Sequence, residues 1–361
     1  MPNKEANVFV AGIDAHTRYV VVTVLNRFGE QLLKPTRVRV DQPERLLGLL
    51  APYRPLAAVM ETSSSWPWLH EVLSGAGIEF VLAHARRLRA IAEANYKRDA
   101  IDAVLLARMQ LAGCIPTVYP TPHAQREWAT LIRHRAALVM QRTAIVNRLH
   151  AQLHLRGLAL ERGRLLTRAG RQWLKTEAWA VLSSEQRALV RSHLRLLAGL
   201  RPLVRALDRR IAAVAEAIPQ AQLLRTIPGI GTHRALVVCA EALPIARFPT
   251  PGHLASYAGL VPTSSQTGQR SIHHGPIPHA ANRWLRGMLV RAVVSHVQQA
   301  PASWLSQYYT TQKARVGWPV ARVATARKLA RAIHAMLRTN TPWRNEQPIR
   351  LGESSLKSMP H

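Results

Sequence analysis

Residues 96–103, YKRDAIDA, place Asp99 and Asp102 three positions apart, directly behind Lys97 and Arg98. The chain carries 49 Lys and Arg against 20 Asp and Glu, and aspartate stands at only five positions: 14, 41, 99, 102 and 208. On a helix, positions three apart share a face, and two like charges there repel. A bound cation would reconcile them. Asp14 closes the first apolar run, FVAGID, and Glu61 closes the run AAVM. Four carboxylates at such places are hard oxygen donors of the kind that suit Mg²⁺. Two such ions about 3.5–4 Å apart clamp both oxygens of a phosphoryl transfer. The competing reading makes Asp99 the cap of the helix AIDAVLLARM and Asp102 a surface charge.

A second constellation lies in GLVPTSSQTGQRSIHHGPIPHAANRWLR, residues 259–286. It sets the hydroxyls of Thr263, Ser264, Ser265, Thr267 and Ser271 beside Arg270, His273, His274, His279, Arg283 and Arg286. A hydroxyl among cations, with no carboxylate near, fits attack on a phosphodiester whose developing charge the cations stabilise. A zinc site would need Cys or acidic ligands beside the histidines, and none accompanies them. A flexible loop without catalytic role is the plain alternative. Upstream, IPGIG has the hydrophobic-Gly-hydrophobic-Gly form of a helix-hairpin-helix turn, in which Gly229 and Gly231 leave room for a phosphate at exposed N–H groups. The same pattern also suits a tight turn between two packed helices.

Charge points the same way. The formal net charge is +29 over 361 residues. Between Ala242 and Asn345 there is no Asp or Glu, while thirteen Lys and Arg fall in the same window. A merely soluble surface mixes signs, so this field implies a phosphate backbone as partner. Cys114 and Cys239 are the only cysteines, too few for a Cys-rich zinc site, and a reducing compartment fits them. The N-terminus lacks the apolar stretch of a signal peptide, and no apolar run reaches membrane-spanning length. A cytoplasmic protein with no membrane partner is expected.

The elements that must position these groups follow from periodicity. Residues 7–40 read as three β-branched strands broken by turns at HT and RFGE. A helix QPERLLGLLAPY, a strand LAAVMET, a helix WPWLHEVLSGAG and a strand IEFVLAHA follow, and then a helical stretch holding Asp99 and Asp102 runs to about Gly113. That order is the order of a ribonuclease-H-like, RuvC-like α/β domain, in which the strands ending at Asp14 and Glu61 are neighbours and the last helix crosses them. From 124 to 218 no strand signal appears. Leu197, Leu200, Val204, Leu207, Ile211, Val214 and Ile218 alternate three and four apart, a coiled-coil seam that serves an intramolecular hairpin or a dimer. Pro202 inside it should kink the helix or begin a new one. The expected organisation is a RuvC-like domain over 1–120, a helical coiled-coil segment over 121–220, a mainly helical C-terminal domain over 221–345 and a tail over 346–361.

With these residues in hand, the chain resembles the DEDD transposases of the insertion sequence 110 family, the bridge-RNA-guided recombinases. The likeness covers most of residues 7–340 and rests on GIDAH, METSSSW, KRDAIDA, TIPGIG, ASYAGLVP and NRWLR, taken in order. It implies a DNA transposase acting on element ends and a target with Mg²⁺, assembled as a homodimer or homotetramer. It also implies a structured noncoding RNA as guide, and a nucleophilic serine working beside the acidic quartet. The family's Ser-Gly falls here at Thr267-Gly268, and its later Thr-Lys-x-Gly loop is Pro278-His279-Ala280-Ala281. Thr267 is therefore the aligned nucleophile, with Ser265 or Ser264 taking the role if the loop is shifted. A RuvC-like nuclease using water, and a non-catalytic nucleic-acid-binding remnant, are the rival readings.

Overall fold

The β-branched run at 19–26 needs apolar neighbours on both sides, and it lies inside a sheet. In the computed structural model, residues 9–85, 87–88, 99–161, 163–262, 264–265, 273–275 and 281–346 are described, except for the side chains of 99–101, 264–265 and 273–274. The chain divides into two units, 1–123 and 124–361.

In the first unit, β2 (Tyr19–Asn26) is buried from Val20 through Leu25 and pairs antiparallel with β1 (Phe9–Ala15) and β3 (Gln31–Arg39). β3 is the sheet edge, the place where Pro35 costs no central ladder bond. β4 (Leu56–Glu61) runs parallel to β1, and β5 (Glu79–Ala83) parallel to β4. A two-residue β6 (Thr117–Val118) closes the order β3-β2-β1-β4-β5-β6. Helices α1 (Pro43–Leu50) and α2 (Trp66–Gly75) bury Leu46, Leu50, Leu69 and Leu73 against Ile13 and Met60 on one face. α3 (Asp99–Leu111) buries Leu106 and Ala107 against Val10 and Val59 on the other. This mixed sheet with helices on both faces is consistent with the ribonuclease-H-like expectation; β6 was not foreseen.

The second unit is mostly helical. α4 (His123–His154) and α5 (Ser184–Glu216) form an antiparallel pair. Arg135 meets Asp208 at 2.9 Å, and Arg156, just past the end of α4, donates to Gln186 at 2.6 Å, so 21 residues forward from Arg135 match 22 backward on α5. Ser183 and Gln186 start α5 with a reciprocal capping box. Two open readings narrow here. α5 runs through Pro202 as one helix and no new helix begins there; Pro202 is exposed, where a carbonyl that loses its N–H partner can be hydrated. The seam is filled within the chain. Val204 and Ile211 are buried, Leu197 and Leu200 pack on one core and Val214 on another, which is a hairpin rather than a demonstrated coiled coil between chains.

Short helical turns at 168–181 link α4 to α5, and five α-helices follow α5 among the described residues: α6 (Pro219–Arg225), α7 (Thr232–Ala242), α8 (Pro251–Tyr257), α9 (Arg283–Gln299) and α10 (Trp304–Thr339), the last broken at Gly317 where φ is 76°. Their core unites Leu236, Val238, Leu285, Leu289, Leu329 and Ile333. A two-stranded ribbon pairs β7 (Ser264–Ser265) with β8 (His273–His274). Among the described residues, no helix is long and apolar enough to cross a membrane.

Three histidines of this unit have pKa values below the ordinary imidazole range. Burial is the main cause for His296 and His334; for His233 burial leads and the positive Arg135 adds to it. His296 donates from Nδ1 to the Pro228 carbonyl at 2.8 Å, and Nε2 accepts from the Ser303 hydroxyl at 2.7 Å, so the neutral ring is satisfied at both ends. The unfolded chain takes up these protons near pH 6.5 while the folded chain resists them, so stability drops as the pH is lowered. Thermal scans should give a Tm that declines from pH 7 to pH 5. A flat or rising Tm over that window would refute the account.

Candidate functional site

Strand register decides where the carboxylates stand. Ile13 of β1 lies opposite Met60 of β4, so the next residues, Asp14 and Glu61, stand side by side near the C-terminal ends of neighbouring parallel strands. Side chains alternate along a strand, so Asp14 shares the face of Val10, and Glu61 that of Val59. Both valines pack under α3, the helix that carries Asp99 and Asp102.

Gly12 explains how α3 comes so close. A Cβ placed there would stand 1.9 Å from the carbonyl oxygen of Ala103, so the helix backbone rests directly on β1. The contact falls one residue from Asp102, which is half-buried. Asp14, Glu61 and the helix bearing Asp102 therefore occupy one sheet face. The side chain of Asp99 lies outside the described residues, though its backbone begins α3. Among the described residues, no three His, Cys, Asp or Glu side chains close into a metal-holding cluster. The donor set is nevertheless all carboxylate oxygen, which suits a hard divalent ion.

His16 was not singled out from the sequence. Its Nε2 meets Asp14 Oδ2 at 3.0 Å, and its ring lies 4.6 Å from that of Tyr19, over which the Arg37 guanidinium sits at 3.2 Å. This ladder ties the orientation of Asp14 to β2 and β3. The only sequence signal for it is the histidine two positions after the aspartate in GIDAH.

The hydroxyl-rich segment is less fully placed. Thr267, Arg270 and His279 lie outside the described residues. Ser265 faces His273 across the ribbon, and Ser264 faces His274, by backbone pairing. Arg283 is the first residue of α9 and is exposed, and Arg286 is half-buried one turn on. In NRWLR, Asn282 does structural work: its side chain accepts from the Leu285 N–H and donates to Glu241 at 2.7 Å. Glu241 also pairs with Arg133 at 2.7 Å. The last carboxylate before the acid-free window is thereby held by two partners.

The two glycines of IPGIG separate cleanly. Gly229 has φ +85°, and a Cβ there would lie 2.6 Å from the backbone nitrogen of His296, so packing against α9 demands it. Its N–H donates to Gln299 at 2.8 Å. Gly231 has neither constraint. Its φ is −81°, a Cβ would meet nothing within 4 Å, and it caps α7 without a side-chain hydrogen bond. Gly229 thus answers to the fold, and Gly231 leaves the first turn of α7 open on its outer side. The turn lines a cavity of about 680 Å³ with Arg135, Arg225 and Arg234, none of which the sequence pattern had connected to it.

Comparison with known proteins gives the chain its relatives. Residues 11–156 match the family model DEDD_Tnp_IS110, described as a transposase, and residues 221–310 match the transposase IS116/IS110/IS902 family. The chain is 28% identical over 299 residues to the transposase for insertion sequence element IS1111A of Coxiella burnetii, covering 79% of each chain. It is 26% identical over 327 residues to the transposase for IS1328 of Yersinia enterocolitica, covering 90% of this chain and 95% of that one. A probable family 20 transposase of Pseudomonas aeruginosa is 30% identical over 261 residues, covering 69% of this chain and 74% of its own. With both models matched in order and a 30% identical transposase covered over 74% of its length, the chain belongs to the IS110 family of insertion-sequence transposases.

Proposed function

We propose that this transposase cuts and rejoins DNA at the ends of its element and at a target. Asp14, Glu61, Asp99 and Asp102 would hold the divalent metal, Mg²⁺ by the preference of carboxylate oxygens, and Thr267 would be the nucleophile. The observation that carries the reading is the single sheet face shared by Asp14, Glu61 and the helix of Asp102, set by the Ile13–Met60 register and the seat at Gly12. When bound, the metal supplies Lewis-acid polarisation of phosphodiester oxygens. His16 keeps Asp14 turned toward that face.

The Thr267 hydroxyl attacks phosphorus, forming a threonyl phosphoester and releasing a deoxyribose hydroxyl, which receives the proton that threonine gives up. Rejoining is the reverse step with a different strand end. Arg270, His273, His274, His279, Arg283 and Arg286 stabilise or position the phosphates, and Gly231 lets a backbone approach α7. A structured noncoding RNA as guide, and action as a homodimer or homotetramer, belong to the same proposal; family membership and the net charge of +29 support them.

The test is to incubate the protein with labelled element-end DNA and Mg²⁺, trap the complex, digest it, and locate the modified residue by mass spectrometry. Thr267→Ala is expected to abolish the covalent adduct, and Thr267→Ser to keep or raise activity, since serine lacks the methyl that restricts χ1. An adduct on Ser264 or Ser265 would move the nucleophile within the loop. Cleavage that needs Asp14 but leaves no adduct on any hydroxyl would favour a water-using nuclease.

A further inference from the structure

Helices α4, α7 and α9 enclose a cavity of about 530 Å³, within the roughly 300–1,000 Å³ of small-ligand sites. Its floor and one wall are apolar: Val139, Met140, Val237, Trp284 and Met288. Met140 is 63% exposed and stands at the mouth. Trp284 is half-buried and lines the cavity, with the Arg133 guanidinium 5.9 Å from its ring centroid. The remaining wall is cationic, with Arg135, Arg234, Arg283 and Arg291, and no Asp or Glu lines it.

Those arginines are not equivalent. Arg135 is paired with Asp208, and Arg234 donates to the Gly229 carbonyl. Arg283 and Arg291 are in no ion pair among the described residues. Gly287 lies one turn before Arg291, whose guanidinium passes within ordinary van der Waals reach (3.6–4.0 Å) of where a Cβ at 287 would stand, so that it lies along α9 beside the cavity.

A flat apolar shelf beside two cations, with no acid, is complementary to a ligand with an aromatic face and a negative charge. Base-on-aromatic stacking with arginine on the phosphate is how proteins hold single nucleotides of an unpaired strand. We propose that this cavity takes up one unpaired nucleotide of a nucleic-acid strand, its base on the Trp284–Met140 shelf and its phosphate on Arg283 and Arg291. The inference rests on the reading above that this chain handles nucleic acid. It adds a preference for unpaired bases that charge alone does not give.

The experiment uses the full chain without divalent ion and measures binding by fluorescence anisotropy. The probes are short duplexes with a single-nucleotide bulge and the same duplexes with an abasic bulge, each made as DNA and as RNA. The base-bearing bulge should bind roughly tenfold more tightly than the abasic one, the worth of one stacked base. Trp284→Ala should erase that difference and Trp284→Phe should keep it. Met140→Glu, at an exposed position that does not threaten the fold, should also erase it by placing a carboxylate at the mouth.

A preference seen only in the deoxy series assigns a displaced DNA strand, and one seen only in the ribo series assigns an RNA; either upholds the site. Equal affinity for the two bulges, or a preference that survives both Trp284→Ala and Met140→Glu, overturns it. So does polyglutamate displacing the bulged probe more effectively than a mononucleotide does. Tight, salt-sensitive binding with no base preference sinks the cavity alone, whereas no binding to any probe at low salt sinks the nucleic-acid reading with it.

Discussion

Asp14→Asn, Glu61→Gln, Asp99→Asn and Asp102→Asn should each lower strand cleavage on the order of 10³-fold or to nothing, the scale of losing a group that stabilises transition-state charge. Each exchange keeps shape and removes charge. Asp14 retains 23% side-chain exposure, and Glu61 and Asp102 are half-buried, so none is a core contact whose loss would unfold the sheet. Tm and nucleic-acid affinity should stay near those of the parent. Asp99 deserves separate treatment, since a helix cap would explain it equally well. Asparagine caps a helix as effectively as aspartate, so Asp99→Asn preserves a cap and destroys a ligand. Lost cleavage at unchanged Tm would then identify the carboxylate as the essential feature. Full cleavage by the Asp99→Asn, Asp102→Asn double variant would end the quartet reading.

The second large effect is expected at a residue with no chemistry. Gly12→Ala must relieve a 1.9 Å approach to the Ala103 carbonyl, and both partners are backbone. No rotamer can absorb that, so α3 has to move away from β1. Overpacking of this kind costs about 1–3 kcal/mol and occasionally more; a contact this short belongs at the upper end. For a unit of this size that is a Tm loss of roughly 10 °C. Cleavage should fall with it, because α3 carries Asp99 and Asp102. The check is a thermal scan beside a cleavage assay at a temperature where the variant is folded. A Tm within about 1 °C of the parent would show that α3 is not seated on Gly12.

Much of the first unit could be read directly from the sequence because its signals are local. β-Branched runs announce β1 and β2, and the acids at the ends of FVAGID and AAVM fall where apolar strands stop. β6 escaped notice because two residues carry no period. The second unit was harder, since its decisive contacts join distant positions. Pro202 suggests a break when read alone, yet α5 is held on both sides of it by Val190, Val204 and Ile211. IPGIG gives its two glycines the same appearance; only the approach of His296, 67 positions downstream of Gly229, separates them. The cavity at Trp284 draws on three helices whose residues span 135 to 291, and no window of sequence contains it.

The antiparallel pair of α4 and α5 also sets a length. Val190 is buried in the core at one end of α5 and Ile211 in the core at the other. Twenty-one helical residues, from 190 to 211, rise about 32 Å at roughly 1.5 Å each. One turn of duplex DNA is about 34–36 Å. Val190 and Ile211 therefore anchor α5 in its two cores at points about one duplex repeat apart along the helix. Inserting two residues into α5 alone would turn one end of the helix by about 200° against the other, taking the buried Val190 or Ile211 out of its core. The length of this strut is thus locked to the packing on both of its ends.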